Sequence, residues 1–236
     1  MAASSKIDDL SLSRTACPTP PAPAGSILDL RKLLAERFPQ SFASPAHRLA
    51  TGLPLIDEAS GGGFPKSAIT ELSSPQVSAG SALLLYVLLE KARREGFFLA
   101  LVDGRDSFDP QSLGNQRLRH LLWVRCTKAL DAVKAADLLL RDGNFPLVVL
   151  DLVLNSSSEL RKIPSSSWYR LQRLVETIPA AFLVLTRASI ISSAQLKLSL
   201  ESTWTLADLE QDHLTARLKV LVQRTQAGRW ASIGAG

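Results

Sequence analysis

The segment SSPQVSAGS at residues 73–81 places small residues, hydroxyls and one glycine between a short apolar run and a long helical one. Nucleotide-binding α/β proteins hold phosphate on such a loop, because the helix N-terminus offers free N–H groups and a positive dipole end. The pattern that supports phosphoryl chemistry there is G-x-x-x-x-G-K-[ST], in which the lysine reaches the β- and γ-phosphates and the hydroxyl holds magnesium. Residues 73–81 contain one glycine, Gly80, and no lysine. The segment therefore predicts a phosphate loop that has lost its main cation.

The elements that must position this loop alternate between strand-like and helix-like runs. The predicted strands are 68–72, 97–103, 121–126, 146–154 and 180–188, and the predicted helices are 81–96, 128–143 and 166–178. The strands are apolar throughout, which is typical of a parallel sheet covered on both faces. Residues 196–230 contain stretches of alternating polarity that predict antiparallel strands at the sheet edge. The predicted fold class is α/β, with a mostly parallel sheet flanked by helices and antiparallel C-terminal strands.

The chain divides by composition into three parts. Residues 1–25 are rich in Ser, Ala, Thr and Pro, which predicts a disordered tail. Residues 26–45 are interpreted as an N-terminal helix and linker, because apolar residues recur at helical spacing over 26–37. Residues 46–236 are interpreted as one core domain.

Residues 48–110 resemble the RecA recombinase family in the order of their motifs. The TG-x-x-x-(I/L)D opening falls on Thr51, Gly52, Ile56 and Asp57, a glycine-rich turn on Gly61–Gly63, and an Asp-Pro pair on Asp109 and Pro110. The resemblance extends over roughly residues 48–225. It implies a RecA-like core of the P-loop NTPase type.

The same resemblance implies that the catalytic groups of RecA are missing. It places the two loop glycines of RecA at Ser74 and Ala79, its lysine at Gly80, its Ser/Thr at Ser81, its water-activating glutamate at Arg105 and its second acidic residue at Asp151. The vestigial nucleotide site is thus predicted as Ser74, Ser78, Ala79, Gly80, Ser81 and Asp151. We expect no catalytic residue, no ATPase activity and no required cofactor or metal. Weak binding of magnesium-ATP stays open through the loop amides, the Ser81 hydroxyl and the Asp151 carboxylate.

Within this superfamily, residues 121–151 are similar to the ImuA group. They carry LLWV, an alanine-rich helix and LR-x-G before the next strand, and residues 61–72 (GGGFPKSAITEL) are similar as well. ImuA-like proteins act in bacterial damage tolerance beside the Y-family-like protein ImuB and an error-prone polymerase. The resemblance implies an accessory role in the SOS response and translesion synthesis. The implied partners are an ImuB-like protein, RecA or a second copy, with residues 26–37 as a docking helix.

Direct contact with DNA is a weaker prediction. Arg161 and Lys162 lie in the serine-rich segment 155–167, which follows the Asp151 strand and corresponds to the first DNA loop of RecA. The second such loop falls near 189–200 and carries only Lys197 as a basic residue. A surface loop without DNA contact explains the first segment at least as well, so tight independent DNA binding is not expected.

Bulk properties exclude several classes of protein. The net charge of +5 permits contact with nucleic acid without requiring it. Two cysteines and three scattered histidines do not form a zinc pattern or a disulfide framework, which favours a cytoplasmic location. The first 25 residues lack the apolar core of a signal peptide, and the apolar runs are too short to span a bilayer. Two other functions stay open, namely a weak ATPase that contacts DNA and a SulA-like inhibitor of cell division.

Overall fold

The computed structural model describes residues 47–76, 79–204 and 214–225. The predicted tail 1–25, the predicted helix and linker 26–45, and Ser78 lie outside the described residues. The strands are β1 (Arg48–Leu49), β2 (Phe64–Pro65), β3 (Ala68–Ser73), β4 (Leu99–Asp103), β5 (Leu121–Arg125), β6 (Leu147–Asp151), β7 (Ala181–Thr186), β8 (Leu196–Leu200) and β9 (Val220–Thr225). The α-helices are α1 (Pro54–Ser60), α2 (Ser81–Glu95), α3 (Asn115–Leu118), α4 (Ala129–Asp142), α5 (Ser157–Leu160) and α6 (Ser165–Val175). Two 3₁₀ turns occupy Gln111–Leu113 and Leu214–Arg217.

Seven of the described strands form one sheet in the order β5-β4-β6-β7-β3-β8-β9. All neighbouring pairs from β5 to β8 are parallel, and β9 runs antiparallel to β8. The predicted α/β class with a mostly parallel sheet is confirmed. The antiparallel pairing predicted for the C-terminal stretch begins at β9, because β8 still runs parallel to β3.

Two apolar cores cover the two faces of this sheet. On one face, α1 and α2 pack through residues such as Ile56, Leu84 and Leu88, which are completely buried. On the other face, α4 and α6 pack through residues such as Val133 and Leu171. Burial on both faces explains why the central strands are apolar at every position.

Left-handed glycines end the two long helices where the sequence predicts them. Gly96 and Gly143 both have φ of 72°, a conformation that costs little without a Cβ atom. The strand predicted to begin at Phe97 begins instead at Leu99, and the side chain of Phe98 is 54% exposed. None of the described helices combines the length and apolar character needed to cross a bilayer.

The opening motif at Thr51 and Asp57 serves the fold. One carboxylate oxygen of Asp57 accepts the backbone N–H and the hydroxyl of Thr51, at 2.7 and 2.8 Å. The other oxygen accepts the N–H of Gly52 at 3.3 Å. The turn that follows α1 is also tightly packed, since a Cβ atom on Gly63 would lie 2.2 Å from the carbonyl oxygen of Leu49. These contacts lie within the segment that joins β1 to its antiparallel partner β2.

Candidate functional site

The loop after β3 begins in the core of the molecule. Ser74 is fully buried, and its backbone N–H donates to the carbonyl of Thr186 at the end of β7, at 2.7 Å. Its hydroxyl is buried without a hydrogen-bond partner among the described residues. Ala79 is buried in the core that covers α2. Ser74 and Ala79, two of the predicted loop residues, are therefore buried in the interior, and Ser78 lies outside the described residues.

Gly80 is the position to which the resemblance assigns the lysine, and a side chain there would strain the backbone and require Leu218 to shift. Its φ of 109° is a conformation that L side chains rarely adopt. A Cβ atom built there would lie 2.5 Å from Cδ2 of Leu218 and 3.6 Å from Nε1 of Trp204. Leu218 is only 3% exposed, so it is part of the core. The segment that follows β8 and the segment that precedes β9 therefore occupy the space beside the loop at Gly80.

These two covering segments are tied to each other by hydrogen bonds. The N–H of Glu201 donates to the carbonyl of Lys219 at 2.9 Å, and the N–H of Lys219 donates to Ser202 Oγ at 2.8 Å. Beside them lies a shallow pocket lined by Pro75, Gln76, Leu200, Glu201 and Ser202. The residues that follow β8 and precede β9 therefore line the loop after β3.

Ser81 and Asp151 are the two groups that could still bridge a magnesium ion. Ser81 is the first residue of α2 and is partly exposed. Asp151 ends β6, and β7 separates β6 from β3. Both residues thus follow the carboxyl ends of parallel strands, Asp151 at the end of β6 and Ser81 eight positions beyond the end of β3.

The Asp151 carboxyl group has an unusual protonation equilibrium. Burial raises its pKa from 3.8 to about 6, although one oxygen accepts the N–H of Val153 at 3.0 Å. The charge of Asp103, which lies beside it in register on β4, raises the pKa further. A carboxyl group with this pKa titrates near neutral pH, a property that is common at functional sites.

The segment after β4, to which the resemblance assigns the water-activating glutamate, is a closed turn. Asp103 is 1% exposed, and its carboxylate accepts the backbone N–H groups of Arg105, Ser107 and Phe108 at 3.1, 2.7 and 2.8 Å. The guanidinium of Arg105 donates outward to the carbonyl of Thr127 at 3.3 Å. Arg105 is therefore an exposed side chain at the position to which the resemblance assigns that glutamate. Asp109 supports the next turn by accepting the N–H of Gln111 at 2.9 Å.

The predicted DNA-contacting residues differ in their surroundings. Arg161 and Lys162 are exposed just after α5, and Leu160 and Ile163 anchor that segment in the core. Lys197 is not available for DNA, because its ammonium group lies 3.0 Å from the buried carboxylate of Glu71. Trp168, an aromatic residue at the edge of the first loop, is 5% exposed and belongs to the core.

Sequence reasoning missed Glu71, which organises the loop after β7. Its carboxylate accepts the hydroxyl of Ser189 and the N–H groups of Ile190 and Ile191, at 2.9, 2.6 and 3.0 Å. The signal was visible as one acidic residue inside the apolar run AITEL. Among the described residues, no group of three or more His, Cys, Asp or Glu side chains gathers as a metal site would require.

Comparison with known proteins relates part of this chain to RecA. The RecA protein of Chlorobaculum parvum is 35% identical over 109 residues, which are 44% of this chain and 31% of that protein. The RecA proteins of Rubrobacter xylanophilus and Prochlorococcus marinus are 32% and 28% identical over 124 and 165 residues, or 51% and 64% of this chain. The chain spans 31–43% of the length of these three relatives. No protein-family model matches the chain. The similarity and the mostly parallel sheet together support a RecA-like core.

Proposed function

We propose that this protein is a catalytically degenerate RecA-like accessory factor of the bacterial DNA-damage response, and that it acts in translesion synthesis through contacts with other proteins. The packing of Gly80 against Leu218 and Trp204 carries the proposal. Phosphoryl transfer depends on positive groups that stabilise charge on the γ-phosphoryl. At Gly80 the backbone conformation and the neighbouring core both oppose a lysine, and Arg105 replaces the group that would position water.

The place of the protein in damage tolerance rests on the likeness of residues 121–151 and 61–72 to the ImuA group. In the structure residues 121–151 supply the edge strand β5, helix α4 and strand β6, and residues 61–72 supply β2 and most of β3, all of them parts of the scaffold. The proposed partners are an ImuB-like Y-family protein, RecA or a second copy of the chain. Open strand edges offer such partners a place to bind.

Weak nucleotide binding without turnover is the second candidate function. It is favoured by Ser81 and Asp151, which both follow the carboxyl ends of parallel strands, the side of the sheet where open α/β proteins bind nucleotides. A protein with this property would use ATP as an assembly signal. It would still lack the groups that accelerate hydrolysis.

Thermal melting with and without magnesium-ATP, or with a slowly hydrolysed analogue, separates these possibilities. A ligand at about 100 times its Kd adds about 2.7 kcal/mol to the free energy of unfolding, which raises the Tm of a chain of this size by several degrees. We expect no such shift and no phosphate release. A shift that the Asp151→Asn substitution removes would support the nucleotide-sensing alternative. Phosphate release that the same substitution abolishes would overturn the proposal.

A further inference from the structure

A basic and aromatic surface lies at the amino ends of β4 and β5, at the edge of the sheet away from the phosphate loop. We define this amino-edge surface by Tyr86, Arg93, Arg94, Phe98, Arg117 and Arg119. Helix α2 supplies Tyr86, Arg93 and Arg94, the segment just before β4 supplies Phe98, and α3 with the residue that follows it supplies Arg117 and Arg119. None of them takes part in the predicted nucleotide site or in the candidate DNA-contacting segment at Arg161 and Lys162.

The charge of this surface is positive even after its internal ion pairs are counted. The carboxylate of Glu90 lies 2.6 Å from Arg93, 3.1 Å from Arg94 and 2.9 Å from Arg117. The Arg93 hydrogen bond is the largest cause that lowers the pKa of Glu90 to about 2, so this carboxylate is ionised throughout the physiological range.

One carboxylate therefore neutralises only one of the three arginines that surround it. Lys91 and Glu95 form a separate ion pair. Arg119 is exposed and adds a further positive charge.

Two aromatic rings are exposed on the same surface and held in place. Phe98 is 54% exposed and lies against His120, with the ring centroids 5.7 Å apart. His120 is itself fixed, because its Nδ1 lies 3.1 Å from the carbonyl oxygen of Phe97. Tyr86 is 38% exposed, and the guanidinium carbon of Arg117 lies 4.6 Å from the centroid of its ring. The order of these rings lowers the entropy cost of stacking against a ligand.

We propose that the amino-edge surface binds single-stranded nucleic acid, with its arginines against the phosphates and Phe98 stacked on a base. Surfaces that bind single strands without sequence preference combine positive charge along the backbone with aromatic faces for successive bases. An acidic polypeptide would match the charge but would not need an exposed, ordered aromatic ring. The aromatic residues therefore favour nucleic acid. The amino-edge surface combines several arginines with exposed aromatic rings, a combination that the candidate DNA loops at 155–167 and 189–200 lack.

The test measures fluorescence anisotropy of a labelled oligothymidylate of about 20 nucleotides, titrated with the full chain over a range of salt concentrations. The Arg94→Gln/Arg119→Gln variant should bind at least about tenfold more weakly, and the slope of log K against log salt should fall by about 0.7 for each lost phosphate contact. Phe98→Ala should weaken binding at least about fivefold, as expected for a lost stacking contact, whereas Phe98→Tyr should retain affinity. All of these positions are exposed, so unchanged thermal melting can confirm that each variant is folded.

The matched control is Arg161→Gln/Lys162→Gln, which removes the same number of charges at the other end of the sheet. Unchanged binding by this variant, together with losses at Arg94, Arg119 and Phe98, would support the proposal. A loss confined to the control variant would place the binding site at the carboxyl edge and overturn it. Absence of binding by the wild-type chain at low salt would also overturn it. Displacement by polyglutamate, with no effect of Phe98→Ala, would overturn it in favour of an acidic protein ligand.

Discussion

Gly80 stands where the resemblance places the lysine of the phosphate loop, and its surroundings make that position testable by substitution. The Gly80→Lys substitution would restore the missing cation in sequence, but it must adopt a φ of 109° and displace Leu218. We expect it to lower the free energy of unfolding by about 1–3 kcal/mol, the range for a residue forced into a rarely populated backbone conformation. It should not produce stabilisation by magnesium-ATP. Urea unfolding, with and without nucleotide, measures both effects.

Gly80→Ala is the matched control for this prediction, because it shares the backbone strain and the contact with Leu218 but adds no charge. Both variants should lose stability by a similar amount. If the lysine variant were as stable as the wild type and bound nucleotide while the alanine variant did not, the loop would be open rather than closed. The lysine would then be the part whose absence prevents nucleotide binding.

Asp151 should make the stability of the protein depend on pH. Its pKa in the folded state is about 6 against an ordinary 3.8, so between these values the folded protein binds the proton more tightly than the unfolded chain does. The stability that this carboxyl group contributes is therefore complete below about pH 4 and is lost as the pH rises through about 6. Asp151→Asn keeps the shape and the acceptor for the Val153 N–H without the buried charge.

We expect Asp151→Asn to be about 1–3 kcal/mol more stable than the wild type above pH 6, since one pKa unit corresponds to about 1.4 kcal/mol. The difference should shrink towards zero near pH 4. Urea unfolding of both proteins at several pH values measures this. A variant that is less stable at neutral pH would mean that the ionised carboxylate stabilises the fold, and Asp151 would then be a structural residue.

At the scale of secondary-structure elements, Glu71 links the centre of the sheet to the loop after β7. Glu71 and Lys197 are partners in register on β3 and β8, and the carboxylate also accepts Ser189, Ile190 and Ile191. Glu71→Ala leaves the largely buried ammonium group of Lys197 without its counter-ion. We expect a loss of about 3–5 kcal/mol, which is usual when one partner of a buried pair is removed.

The double variant Glu71→Leu/Lys197→Met separates charge from packing in this network. It removes both charges and should be more stable than Glu71→Ala, although the N–H groups of Ile190 and Ile191 still lose their acceptor. Denaturant unfolding of the single and double variants provides the comparison. Equal losses in the two would mean that the backbone hydrogen bonds, rather than the ion pair, hold the loop.

The sequence could predict those strands and helices whose signals are local. Strands such as β6 and helices such as α4 follow from runs of apolar residues and from their spacing, because both signals are local. The contact of Leu218 with Gly80 joins residues that are 138 positions apart, and no local pattern encodes it. Glu71 could be noticed as an acidic residue in an apolar strand, but its partners come from a loop 118 to 120 positions away. The predicted site residues follow from the local order of motifs, whereas the packing of Leu218 beside Gly80 emerges only from the fold.

Across the whole molecule, the sheet ends in two edge strands of different character. Within the described residues, β5 pairs only with β4, and β9 pairs only with β8. The edge strand β5 begins with four apolar residues, Leu121 to Val124, whereas β9 ends in Gln223, Arg224 and Thr225. Charged and polar residues discourage pairing with another chain, so β5 is the edge better suited to a partner. This edge also belongs to the segment 121–151, on which the proposed role in damage tolerance rests.

Leu122→Lys should therefore weaken binding to a protein partner, because it places a charge on the exposed part of β5 without disturbing the core. Leu122 is 38% exposed, and Leu221 on β9 is 52% exposed, so Leu221→Lys is a matched substitution at the opposite edge. Analytical ultracentrifugation of each variant alone, with an ImuB-like protein and with RecA, measures association. We expect at least about a tenfold loss of affinity for Leu122→Lys and little change for Leu221→Lys, since an unmatched charge at an interface costs more than 1.4 kcal/mol. The reverse result would assign the partner to the β9 edge. Binding that survives both substitutions would show that neither edge is the interface.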